Sequence, residues 1–210
     1  MKDVSFKDFD ILSEQDKSEA VALLQRYDQL EKQDDCQNDF ISFLNHMWPD
    51  FIEGRHHKII ADKFNRIAEG KLKRLIVCLP PRHSKSEFAS TFFPAWMMGR
   101  RGNLKIIQTT HTAELAVRFG RKVRNIIDST EYQHIFPDLK LQADNKSAGR
   151  WTSNQEGEFF AAGVGGAITG RGADLLIIDD PHSEQDALSP KALESAYEWY
   201  TSGPRQRLQP

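Results

Sequence analysis

The sequence predicts an α/β domain built on a mainly parallel sheet flanked by helices, with a helical extension at its N-terminus. Three observations predict it. Short apolar runs at residues 75–79, 104–109 and 175–180 alternate with longer segments of helical periodicity, the pattern of strands joined by crossover helices. The first run feeds a proline- and arginine-bearing turn that ends in Lys85-Ser86 and opens a helical segment. The last run ends in a carboxylate pair, Asp179-Asp180.

Taken in order, residues 1–38 read as a helical arm. Ser13 followed by Asp16 is a capping signal, and Ala20, Leu23, Leu24 and Tyr27 recur at helical spacing. Asp34, Asp35, Gln37 and Asn38 then break the pattern. Residues 39–210 form the main domain. Phe40, Phe43, Leu44 and Met47 mark a second helix that stops at Trp48-Pro49. Ile59, Ile60, Phe64 and Ile67 mark a third over 57–68, ended by Glu69-Gly70. The segment 87–98 is helical in character, with a kink or break predicted at Pro94. An amphipathic helix is expected over Ala113–Ile127, and short strands at Arg150–Ser153 and 158–162. A helix over 191–200 follows Ser189-Pro190, a cap and a first-turn proline.

Composition narrows the class. The chain has 210 residues, 39% apolar and 28% charged, which excludes disorder and disulfide-scaffold classes. No apolar run approaches the ~18 residues of a membrane span. The two cysteines, Cys36 and Cys78, have neither metal-ligand spacing nor disulfide density, and Cys78, inside an apolar run, is expected to be buried. The N-terminus lacks an apolar signal core, so the expectation is a soluble intracellular domain. The net charge of -2 hides an asymmetry. Residues 1–40 carry 11 Asp/Glu against 5 Lys/Arg, whereas residues 71–125 carry 12 Lys/Arg against Glu87 and Glu114. A basic middle points to an anionic partner, nucleotide or nucleic acid; the bland counterpart is a solvated charged face.

The turn Pro80-Pro81-Arg82-His83-Ser84-Lys85-Ser86 stands where a phosphate-binding loop belongs, between a strand and a helix. Its backbone N–H groups would cradle phosphate at a helix N-terminus, with Pro81, Arg82, His83 and Ser84 forming the curl. Lys85 would reach the terminal phosphates and Ser86 would offer its hydroxyl to Mg²⁺. The usual pattern, G-x-x-x-x-G-K-[ST], has glycine where Leu79 and Ser84 stand, so a tighter or strained loop is expected. The alternative is a basic surface turn.

Leu175-Leu176-Ile177-Ile178-Asp179-Asp180 puts two acids at the C-terminal edge of a buried strand, where open α/β sheets bind ligands. Asp179 would hold Mg²⁺ and Asp180 would polarise the attacking water. Together with Lys85-Ser86 roughly 90 residues earlier, the pair reads as the Walker A and Walker B halves of a P-loop NTPase. Arg171, between Gly170 and Gly172, reads either as a turn arginine or as an arginine finger acting in cis or across a subunit boundary. Phe51, His56 and His57 either pack or flank an adenine ring. Arg118, Arg121, Lys122 and Arg124 fit DNA-phosphate contacts or solvated surface equally.

Four stretches, RLIVCLPPRHSKSEFAS, TTHTAELAVRFGRKVRNII, GVGGAITGRGADLLIIDDPHSEQDALS and YEWYTSGPRQRLQP, resemble the ATPase half of a phage terminase large subunit, the motor that packages viral DNA. The resemblance covers about residues 40–210, and TGRGADLLIIDDP is its most specific part. It implies an ASCE/RecA-like ATPase fold using ATP and Mg²⁺, with Lys85 and Ser86 on phosphate and metal and Asp179 as the metal-associated carboxylate. Asp180 matches the position of the catalytic glutamate of many relatives, with Glu184 in reserve. Arg171 matches an arginine supplied to a neighbouring subunit's nucleotide, and His57 falls roughly where the adenine-binding motif is expected. The implied partners are double-stranded DNA, a portal protein, a small terminase subunit and further copies in a ring, a pentamer at the portal. The implied setting is the host cytoplasm and, transiently, the procapsid. The family's coupling motif is expected just beyond Pro210, and no nuclease activity is expected from these residues. Two other functions fit the same residues: a helicase-like DNA-dependent ATPase, and a nucleotide- or DNA-binding fragment that does not hydrolyse.

Overall fold

The computed structural model describes residues 13–168 and 170–208, with the backbone alone for 143–146. Helix α1 (Glu14–Asn38) starts at Ser13, whose side chain accepts the Asp16 N–H, and runs through the predicted break to Asp39. Asp39 then caps α2 (Phe40–Met47) by accepting the Ser42 N–H, so the acidic and amide residues turn the chain between two helices. Helix α3 (Arg55–Ala68) follows. The helical run after the Lys85 turn has three parts: α4 (Lys85–Glu87), a π-turn (Phe88–Phe92) and α5 (Phe93–Arg100). The predicted kink at Pro94 is this π-turn. Proline has no N–H to give and its ring crowds the carbonyl four residues back, that of Ser90. The Phe93 N–H instead reaches Phe88 O, five residues back.

The strands are β1 (Lys105–Thr110), β2 (Leu141–Lys146), β3 (Arg150–Ser153), β4 (Glu158–Gly163) and β5 (Leu175–Ile178), with α6 (Ala113–Ile127) and α7 (Thr130–Ile135) between β1 and β2. Helix α8 (Pro190–Ser202), begun by the Ser189 cap and Pro190, follows β5. The sheet order is β2-β3-β4-β1-β5. β1 pairs in parallel with β4 and β5, but β2–β3 and β3–β4 are antiparallel. The mainly parallel expectation is therefore corrected to a mixed α/β sheet. The short connections from β2 to β3 and from β3 to β4 leave no room for a crossover helix, so those strands return as hairpins.

Two further expectations are corrected. Residues 75–79 alternate between half-buried and exposed yet pair with no described strand. Leu75, Val77 and Leu79 lean on the core, while Ile76 is 90% exposed and Cys78 is exposed rather than buried. An apolar run satisfies the alternation of a strand without forming one when no partner edge lies within hydrogen-bonding distance. Helices also cover the two sheet faces unequally. The main core packs α2, α3, α5 and α6 against one face, around Phe40, Phe88, Trp96, Val123 and Phe159. The opposite face holds a small cluster, Ile107, Ala162, Ile168 and Ala173. It is closed by the loop after β4, where Trp199 of α8 donates to Gly166 O at 3.4 Å. Helix α6 approaches the sheet closely because residue 120 is glycine: a Cβ there would stand 2.6 Å from Ala148 O and 2.9 Å from the Phe159 ring. No helix among the described residues is long and apolar enough to cross a membrane.

Candidate nucleotide and metal site

β1 and β5 run in parallel, so the chain leaves both at the same sheet edge, and the backbone there is tied by His111 N–H to Asp180 O at 3.2 Å. The Lys85 turn meets that edge. Lys85 Nζ lies 2.5 Å from Asp180 Oδ1, joining residues 95 apart in the chain. One step before Asp180 on the strand, Asp179 Oδ2 accepts a hydrogen bond from Ser90 Oγ at 2.9 Å, with both residues buried. Alternation along β5 explains why the two acids differ. Leu175, Ile177 and Asp179 share the face that packs on the main core, so Asp179 is buried, whereas Asp180 turns outward.

The missing glycines leave a mark. Arg82, Ser84 and Asp180 all have positive φ, at 64°, 60° and 43°; the other non-glycine residue with positive φ among those described is Glu156. Ser84 sits in the left-handed region just before Lys85, the conformation that glycine holds in the usual pattern. A side chain there costs ~1–2 kcal/mol, against which glycine's larger chain entropy offsets ~0.5–1 kcal/mol. Ser84→Gly is therefore expected to raise unfolding free energy by about 0.5 kcal/mol in urea titration, and Ser84→Val to lower it by more than that.

His83 Nδ1 lies 2.9 Å from Pro81 O, closing the turn with a local hydrogen bond. Pro81, Arg82 and His83 are exposed, and Ser84, Lys85 and Ser86 half-buried. His56 links this turn to the start of α3, its ring 5.7 Å from that of His83 and 3.8 Å from that of His57. His57 itself is buried, caps α3 by accepting the Gly54 N–H at Nδ1 (2.9 Å), and lies between Phe51 and Phe88. Its Nε2 is buried and has no hydrogen-bond partner among the described residues.

Burial, then the neighbouring His56 and His83, hold the His57 pKa below its ordinary value. The folded state therefore binds its proton less readily than the unfolded chain. The stability from neutral His57 is complete above the unfolded value of about 6.5. It is lost as pH falls from there through the lower folded pKa. Urea midpoints of the wild type are expected to drop between pH 7.5 and 5.5. In His57→Gln, which keeps an acceptor for the Gly54 N–H, the drop is expected to shrink.

Arg171 is placed elsewhere. It pairs with Glu158, which also takes Arg150 Nε at 3.1 Å, and its guanidinium lies 4.0 Å over the Phe160 ring. Glu158 is level with Lys105 at the start of β1, and Phe160 with Ile107. Asp180 is level with His111, four to six residues further along, or ~13–20 Å of strand. The cis form of the finger is not met in this arrangement. Glu184 is exposed, and no described contact joins it to Lys85 or Asp180. The basic residues of α6 divide: Arg118 and Arg121 are exposed, while Lys122 pairs with Glu87, the residue directly after the phosphate turn.

The donor set fits Mg²⁺ brought in with phosphate. No group of three or more His, Cys, Asp or Glu among the described residues could cage a metal unaided. One buried carboxylate (Asp179) and one hydroxyl (Ser86) suffice when phosphate oxygens and waters fill the remaining positions of a hard octahedral ion. Ser90 is the residue that sequence reasoning missed. Its signal was Pro94, four residues on, read as a break in the helix rather than as the cause of a turn that presents Ser90 to the strand. Among known proteins, no family model matches this chain and no curated protein matches it.

Proposed function

We propose that this chain binds a nucleoside triphosphate with Mg²⁺ at the edge formed by the 80–86 turn and the end of β5, and hydrolyses it. The observation that carries the reading is the meeting of Lys85 with Asp180 across 95 residues of sequence, and of Ser90 in the same helical run with Asp179 across 89. A phosphate cation, a metal carboxylate and a water-polarising carboxylate standing together are the minimal set for phosphoryl transfer to water. In this reading Lys85 leaves Asp180 for the γ-phosphate, Ser86 and Asp179 hold Mg²⁺, and Asp180, freed of its cation, accepts a proton from the attacking water. When bound, Mg²⁺ neutralises charge developing on the β- and γ-oxygens.

The P-loop fold and the terminase assignment extend this proposal through the resemblance in the four stretches named above. The domain would then be the ATP-driven motor of a DNA-packaging terminase, drawing double-stranded DNA by its phosphates with help from Arg118 and Arg121. It would act in a ring with a portal protein and a small subunit. The placement of Arg171 at the opposite end of the strands favours action on a neighbour's nucleotide over its own.

A second reading, nucleotide binding without turnover, is favoured by the two ion pairs that hold Lys85 on Asp180 and Arg171 on Glu158. One experiment decides. ATP binding and phosphate release are measured over a range of protein concentrations for wild type, Lys85→Ala and Arg171→Ala. The motor reading expects turnover that rises more than linearly with concentration. It also expects Arg171→Ala to bind ATP but not turn it over. Saturable binding with no release at any concentration supports the second reading, and absence of Mg²⁺-dependent binding overturns both.

A further inference from the structure

We infer that Ser90 is the positioning residue for Asp179, holding the carboxylate in the orientation that receives the metal. The inference rests on the nucleotide reading of the site. The chain of cause begins at Pro94. Its ring excludes an ordinary α-helical turn against Ser90 O, the helix widens into the Phe88–Phe92 π-turn, and Ser90 is carried on that turn. Single π-turns are recurrent at functional sites because they reaim one side chain without ending the helix.

Ser90 Oγ donates to Asp179 Oδ2 at 2.9 Å, and Ser90 is fully buried. Oδ1 of Asp179 makes no hydrogen bond to any described residue, so one oxygen is fixed and the other remains for a cation. Ser86, offered above as the metal's hydroxyl, stands in the short α-helical stretch that leads directly into the π-turn carrying Ser90. The same helical run thus supplies one hydroxyl to the metal and a second to the carboxylate that shares it. Thr91 Oγ1 and both amide atoms of Gln108 are buried without a hydrogen-bond partner among the described residues. Gln108 lies opposite Ile177, on the same sheet face as Asp179 and one pleat below it. Buried polar groups left unpaired are costly in a purely structural core.

Residues that orient a metal ligand commonly change metal affinity by ~10–100-fold when removed. The test is calorimetric titration of ATP into the full chain at graded Mg²⁺ and in EDTA, with wild type, Ser90→Ala, Ser90→Cys and Ser90→Thr. Ser90→Ala is expected to raise the Mg²⁺ concentration for half-maximal enhancement of ATP binding about tenfold, leaving affinity in EDTA unchanged. Ser90→Cys, similar in volume but a weak donor, is expected to shift it the same way, and Ser90→Thr to restore the wild-type value. Should Ser90→Ala fail to fold, the Cys and Thr pair carries the comparison. The positioning role is overturned if the Ala or Cys variant keeps wild-type Mg²⁺ dependence, or if it lowers melting temperature and EDTA affinity alike with no change in Mg²⁺ dependence. If wild type itself shows no Mg²⁺-dependent ATP binding, and Lys85→Ala is indistinguishable from it, the nucleotide reading fails and takes this role with it.

Discussion

Lys85→Ala is expected to lower kcat/KM for ATP by about a hundredfold or more while leaving the fold intact. The size follows from the position of the charge. A preorganised cation beside a transferring phosphate acts on charge that grows in the transition state, and removing one such donor typically costs ~10²–10³ in rate. Stability is expected to change little, because the pair that Lys85 makes with Asp180 is partly solvated, with the Asp180 side chain 59% exposed. Such exposed pairs contribute about 1 kcal/mol or less. The measurement is steady-state phosphate release beside a urea unfolding curve. Loss of turnover at an unchanged midpoint supports the assignment; turnover equal to wild type removes Lys85 from the chemistry.

Phe40→Ala is expected to produce the largest loss of stability, about 3–5 kcal/mol. Phe40 is fully buried and its ring meets five others. It stands edge-on to Phe64 at 5.2 Å, Phe88 at 5.7 Å and Phe93 at 5.8 Å, tilted against Trp96 at 5.4 Å and stacked at 6.4 Å from Phe43. Its backbone N–H is held by Asn65 Oδ1 at 2.9 Å, and Asn65 in turn donates to Asp39. The surrounding elements are fixed from several sides, so the cavity cannot collapse and its cost adds to the lost transfer energy. Against a total of ~5–15 kcal/mol this is a large fraction. Leu24→Ala on α1, where the side chain is 60% exposed, is expected to stay within about 0.5 kcal/mol. Urea unfolding of the two variants checks both values. Phe88 connects this core to function, since it begins the π-turn that presents Ser90.

Much of the local structure was legible because it depends on neighbours in sequence. The Ser13 and Ser189 caps, the stop at Trp48-Pro49, the amphipathic Ala113–Ile127 helix and the strand before Asp179-Asp180 all rest on short-range hydrogen bonding and periodicity. Ser84 in a glycine position foretold a strained turn, because positive φ is a property of one residue. The α1 stripe shows where periodicity stops. Leu23, Leu24, Tyr27 and Leu30 keep helical spacing, but they are 53–64% exposed, since a pattern states which face is apolar and not whether anything covers it.

What the sequence determined by itself, then, is the set of local conformations and the residue types available for chemistry: a basic turn, a carboxylate pair and the helices around them. Tertiary structure alone decided the rest. It paired β3 and β4 antiparallel and left 75–79 without a partner among the described strands, because pairing depends on which edges meet in space. It put Lys85 on Asp180 and Ser90 on Asp179, and it carried Arg171 to the far end of the strands, onto Glu158. The physical reason is common to all of these. Hydrogen bonds and ion pairs act over a few ångströms, and only the packed fold brings residues dozens of positions apart within that range.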